Sequence, residues 1–223
     1  MSEPKASDAV MLEEPRRALL VSGVSLALFL ALCVMVWSTS ARDVLQRGDN
    51  RFLDAMEWLR WGPLTWVAKA FNIVGGTLSN WTIRIAVIVV LVVRRHWVHL
   101  TAFALAVVTS EILVGSLKAA FDRPRPIGSL IGTTGASFPS GHAVAAAVTA
   151  VGVVIVLLPP GPQRWRWERR AVLYASLMAL SRTYLGAHWL SDVVAGGLLG
   201  SALALGWPAL LVGARVRRGV ARQ

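Results

Sequence analysis

From Ala18 to Trp37 the chain runs for twenty residues without a charged side chain. A helix rising 1.5 Å per residue would cover about 30 Å over that length, enough to cross the hydrocarbon of a bilayer. Further apolar stretches follow at about 73–93, 97–120, 142–158, 171–182 and 189–212, with charged or turn-forming residues between them. Residues 38–72 are different. They carry charge throughout, with Trp58, Trp61 and Trp66 among the charges, and "FLDAMEWLRWGPLTWVAKAF" is amphipathic. This pattern predicts one or two short helices lying along the outer membrane interface. The expected fold is therefore all-α: a polytopic membrane protein with six transmembrane helices and a short amphipathic interfacial region after the first. Residues 1–17 read as a polar cytoplasmic tail, 18–213 as one six-helix domain, and 214–223 as a basic cytoplasmic tail.

Composition agrees with the pattern. Of 223 residues, 55% are hydrophobic and 16% charged, with a mean hydropathy of +0.57, values of an integral membrane protein rather than a soluble domain. The formal charge of +11 would suit nucleic-acid binding if the cations formed a patch on a water-soluble domain. Instead they punctuate apolar segments, as cations do at membrane edges, and no nucleic-acid partner is expected. Cys33, the only cysteine, lies in the first apolar stretch, so neither an intrachain disulfide nor a multi-thiolate metal site is available. No small-residue cleavage pattern closes that stretch, which reads as a retained span.

Lysine and arginine placement sets the expected orientation. With the N-terminus inside, thirteen cations fall in cytoplasmic segments and nine outside, and each short cytoplasmic loop holds at least two arginines (Arg94 and Arg95; Arg164, Arg166, Arg169 and Arg170). Both termini are then cytoplasmic. Five cations in the first outer loop weigh against this orientation.

Under this topology three polar clusters meet on the extracytoplasmic face. They are Lys118 to Pro126 ("KAAFDRPRP"), Pro139-Ser140-Gly141-His142, and "SRTYLGAHWLSD" from Ser181 to Asp192. Their chemistry is complementary. Lys118, Arg125 and Arg182 are cations, and an arginine can hold phosphate oxygens through paired hydrogen bonds. Ser140 and the backbone N–H groups from Gly141 onward add donors at a helix N-terminus, where the dipole favours an anion. His188 and Asp192 lie one helical turn apart, so the carboxylate can fix one imidazole nitrogen and leave the other free to attack. His142 is a second imidazole able to protonate a leaving oxygen. Taken singly, each has a plainer explanation: interfacial anchors for Lys118 and Arg125, a snorkelling cation for Arg182, helix caps for Ser140 and Asp192.

Together the three clusters resemble the signature motifs of the type 2 phosphatidic acid phosphatase (PAP2) superfamily of membrane lipid phosphatases. Lys118, Arg125 and Pro126 match Lys-x6-Arg-Pro. Residues 139–142 match Pro-Ser-Gly-His. Ser181, Arg182, His188 and Asp192 match Ser-Arg-x5-His-x3-Asp. The resemblance implies a metal-independent phosphatase without a cofactor, acting on a lipid phosphate in contact with membrane lipids. His188 would form a phosphohistidine, His142 would be the acid, and Asp192 would orient His188. Lys118, Arg125, Ser140, Gly141 and Arg182 would bind phosphate. Undecaprenyl diphosphate is the first substrate expected, then phosphatidylglycerol phosphate or phosphatidic acid. A phosphate- or lipid-binding transporter is the alternative.

Four further residues carry expectations of their own. Arg84 and Glu111 lie inside the second and third spans, where lone charges are costly, and antiparallel packing would let them pair or share a polar network. Asp122 and Arg123, between the motif positions, read as solvated rim charges. Tyr184 and Trp189 read as part of the aromatic belt.

Overall fold

The computed structural model describes residues 11, 12 and 14–220, the last six by backbone alone. Of the two expected tails, residues 1–10, 13 and 221–223 lie outside the described residues. Eight helices follow one another: α1 (Pro15–Trp37), α2 (Thr39–Trp58), α3 (Gly62–Val74), α4 (Thr77–Val93), α5 (Trp97–Phe121), α6 (Gly141–Leu157), α7 (Pro162–Tyr184) and α8 (Leu190–Val220). No strand occurs among the described residues.

α6 is the centre. Its sequence, "GHAVAAAVTAVGVVIVL", is apolar on every side, and a helix of that kind is stable only when surrounded. It packs against α4, α5, α7 and α8. The contact with α8 is unusually close, because Gly196 and Gly200 face it. A Cβ on Gly196 would stand 2.7 Å from the Ser140 carbonyl oxygen, and one on Gly200 would stand 2.7 Å from the Ala147 Cβ. The small-xxx-small spacing thus lets two backbones approach where larger side chains would hold them apart. α1 lies along the far part of α8, with Ser22 Oγ donating to the Ala202 carbonyl at 2.8 Å. Large apolar side chains point outward from α1, α4 and α5, including Leu20, Val34, Val93 and Ile112. This is the surface that a lipid environment covers.

Three helices are by themselves long and apolar enough to cross a membrane: α1, α5 and residues 190–214 of α8. α3 and α4 meet the same test jointly, bent by 48° at their junction, while α6 is apolar but shorter. The molecule is an all-helical membrane protein, and the described helices correct or refine the expected segments in three places. The one or two short interfacial helices expected over 38–72 are two, of which α2 is the longer at 20 residues and α3 runs on toward α4. α7 begins at Pro162, so the arginines assigned to a loop lie on its first turns. Proline is suited to a first helical turn, and stacking of Arg169 on Trp165 and Arg170 on Trp167, at helical spacing, adds support. α8 continues through the expected basic tail as far as Val220.

Candidate active site

The three polar clusters converge at one end of the bundle. Lys118 lies in the last turn of α5, Ser140 stands at the N-cap position of α6 without a side-chain capping bond, Arg182 ends α7, and His188 and Asp192 open α8. Two local devices make the convergence possible. Between α7 and α8 the chain turns at Gly186, with φ of +67°, where an added Cβ would also meet an Arg60 nitrogen at 3.0 Å. Ala187 and His188 then donate backbone hydrogen bonds to the Arg182 carbonyl, at 3.0 and 3.3 Å, which tucks His188 beneath the end of α7. The Ser140 N–H donates to the Asp192 carbonyl at 3.0 Å, joining the start of α6 to that of α8.

His188 is almost fully buried, and its two ring nitrogens face different partners. Nδ1 lies 3.5 Å from Asp192 Oδ2, an ion-pair distance longer than a closed hydrogen bond. Nε2 lies 3.2 Å from Arg125 Nη1. A guanidinium has no acceptor, so Nε2 must carry its lone pair there and Nδ1 the proton. Burial pushes the imidazole down to about 4, with the nearby Asp192 carboxylate opposing, while Arg125 and Arg182 add to the lowering. At neutral pH His188 is therefore an uncharged imidazole with its lone pair turned to the cations.

Arg125 differs from the expected two-pronged phosphate clamp. Nε donates to the Gly135 carbonyl at 2.8 Å, and Nη2 donates to those of Thr134 and Ala136 at 3.0 and 3.2 Å. Nη1 donates to Ala187 at 2.7 Å. The fork is thus largely committed to tying loop 134–136 to the turn before His188, with one donor direction left on Nε2. Lys118 Nζ donates to the same Ala136 carbonyl, which places both cations on one loop. Arg182, buried, donates to Asn72 Oδ1 at the end of α3. His142 is half-buried within electrostatic range of Arg182, His188 and Arg125. The buried Ser140 hydroxyl and Arg182 Nε have no hydrogen-bond partner among the described residues. Two such donors beside Gly141 and the α6 N-terminus suit an oxyanion.

Arg123, expected at the solvated rim, is 1% exposed. Its Nη1 donates to Asp192 Oδ1 and Ser191 Oγ, and its Nη2 to Asp49 Oδ2 and Gln46 Oε1, all at 2.7 Å. Asp49 in turn accepts from the Ser191 backbone N–H and hydroxyl, at 2.8 and 2.6 Å. The carboxylate behind His188 is therefore held by a buried guanidinium, itself held by α2. Asp122 remains exposed. Tyr184 is also buried rather than in a belt. Its hydroxyl bonds Thr65 Oγ1 at 2.9 Å and accepts the Trp61 N–H at 3.0 Å, pinning α3 to α7. The sequence pattern misplaced Arg123 at the rim and gave no sign of Asp49 or Asn72. The only trace was the unusual Arg-Pro-Arg-Pro string, since a single aspartate among the charges of α2 carries no periodic signal.

Fold and site together describe a helical membrane protein in which cations and unpaired donors gather around an imidazole. Residues 99–215 match the family model of the PAP2 superfamily, and the chain belongs to that superfamily. It is similar to phosphatidylglycerophosphatase B of Bacillus subtilis, at 28% identity over 185 residues, covering 79% of this chain and 88% of that protein. It is also similar to the undecaprenyl-diphosphatase of Sulfolobus acidocaldarius, at 43% identity over 65 residues, but the match spans only 29% of each chain. The fold is shared with a transmembrane PAP2-type phosphatidylglycerolphosphate phosphatase from Bacillus subtilis, with a TM-score of 0.72 at 23% identity over 88% of this chain and 96% of that one. It is shared more loosely with LpxE of Aquifex aeolicus, with a TM-score of 0.58 at 23% identity over 70% and 92%. The chain is a phosphatase of the PAP2 type.

Proposed function

We propose that this enzyme releases phosphate from membrane lipid phosphates or diphosphates through a phosphohistidine, without a metal or cofactor. In the first step the His188 Nε2 lone pair forms a bond to phosphorus as the bond from phosphorus to the leaving oxygen breaks, and His142, entering the step as the imidazolium, gives that oxygen a proton and becomes neutral. In the second, water attacks phosphorus, the P–N bond breaks, and the neutral His142 accepts the water's proton. Asp192 steadies the positive charge that His188 carries in between. Lys118, Arg125, Arg182, Ser140 and the Gly141 N–H surround the equatorial oxygens, whose charge they offset in the transition state.

The observation that carries this reading is the orientation of His188: Nε2 faces a guanidinium at 3.2 Å, which can only donate, and Nδ1 is turned to a carboxylate. A transporter binding phosphate at the same cations would have no use for a lone pair at that spot. In the arrangement we propose, six spans place both termini in the cytoplasm and the site on the extracytoplasmic side. The relatives' names support both polyprenyl diphosphates and glycerolipid phosphates as substrates.

The test is release of inorganic phosphate from a panel of both lipid classes, in detergent with a chelator present. His188→Ala is expected to abolish turnover, while His142→Ala keeps partial activity on substrates whose leaving group needs no proton. Intact binding without phosphate release by the wild type would favour the transporter.

A further inference from the structure

A cavity of about 210 Å³ runs from His142 into the bundle between α4, α5 and α6, lined further by Asn80, Trp81, Arg84, Glu111 and Val114. The pairing expected between the second and third spans forms its inner end. Arg84 Nη1 donates to Glu111 Oε1 at 2.6 Å and Nε to Thr149 Oγ1 at 3.0 Å. The two charges are unequally placed, because the Arg84 side chain is 1% exposed while that of Glu111 is 48% exposed. Arg84 Nη2 is buried and has no hydrogen-bond partner among the described residues. Arg84 thus lines the inner end of a cleft that begins at His142, stacked against Trp81 at 5.4 Å, with one guanidinium nitrogen left without a partner.

We propose that this cleft is a subsite for an ester carbonyl of a glycerolipid phosphate, with Arg84 Nη2 as donor. The inference rests on the phosphatase reading and narrows its substrate class. Three observations select the occupant. The donor calls for an acceptor, since a buried N–H left unmet is costly. Glu111 already balances the Arg84 charge, and its free oxygen would repel a second anion, so the acceptor is neutral. The spacing fits as well. Thr149 lies seven residues, or about 10 Å of helix, beyond His142. In a glycerolipid the ester carbonyl oxygens are six or seven bonds from phosphorus, an extended reach of about 7–9 Å at ordinary bond lengths. A polyprenyl chain has no acceptor at that depth.

Binding is measured with His188→Ala, which holds lipid without turning it over. A diacylglycerol monophosphate is compared with its dialkyl ether counterpart of identical chain length. The diester is expected to bind about tenfold more tightly, the worth of one hydrogen bond from a charged donor. The preference should vanish when Arg84→Leu and Glu111→Leu are added together, a pair that leaves no lone charge behind. Equal affinities within twofold, or a preference that survives the loss of Arg84, would overturn the subsite. Should the triple variant not fold, the ester–ether comparison in the single variant decides alone. Absence of phosphate release from every lipid by the wild type would instead sink the phosphatase reading, and the binding comparison would still judge the subsite.

Discussion

His188 depends on residues that do not touch its ring. Asp192 presents Oδ2 to His188 Nδ1 and to the Trp189 N–H, while its Oδ1 is taken by Arg123. The cation thus lowers the negative field that Asp192 exerts on the imidazole, and Asp49 partly offsets the cation in turn. The other charges around His188 are Arg125 and Arg182, together with Lys118 near Arg125. Removing charge from either side of Arg123 should then act in opposite senses. Arg123→Gln leaves Asp192 uncompensated, so the imidazole gains a proton more readily and the acid limb of kcat/KM moves to higher pH. Asp49→Asn frees Arg123 to counter Asp192 more fully, and the limb moves to lower pH. Each shift is expected to reach about half a unit, after correction for ionisation of the substrate phosphate. Two shifts of the same sign would show that Arg123 only holds the fold together.

At the scale of elements, the site is as good as the contact between α6 and α8, which carry the two histidine clusters on adjoining ends. Gly196 sets that distance. Gly196→Val is expected to destabilise the protein by about 1–3 kcal/mol, the usual cost of overpacking, because the added atoms meet the Ser140 carbonyl and the Ala143 side chain. Gly197→Ala, one position along in open space, should be close to neutral. Thermal unfolding in detergent with phosphate release on the same samples checks both, and equal losses would refute the packing argument. α2 is the element whose role was hardest to read. Its charges suggested an interfacial helix, and most of them are exposed, yet Asp49 is buried against α8 and Arg123. Amphipathicity reports which face is polar, not which single polar residue meets a partner.

For the whole molecule, the arginine-rich segments predict which end faces the cytoplasm. In a Cys33→Ala background, a cysteine at Ile127, which is fully exposed beside the site, is expected to react with an impermeant maleimide on intact cells. One at Arg94 should react only after lysis. The reverse labelling would put the pocket in the cytoplasm and overturn the orientation.

Apolar run lengths by themselves determined that this is a helical membrane protein, since burying backbone in lipid admits few alternatives. Motif spacing likewise marked Lys118, Arg125, Ser140, His142, Arg182, His188 and Asp192, because a helix turn or a helix end brings such residues to one face. For Arg84 and Glu111 the pattern raised a pair without deciding it, since a charge in a span can find a partner, snorkel or be neutralised, and the fold brings the two together at 2.6 Å. Only the tertiary structure decided that Arg123 is buried behind Asp192, that Arg125 spends its fork on loop carbonyls, and that a cleft joins His142 to Arg84. Each of these depends on which distant backbone groups surround a side chain, and no local periodicity encodes that.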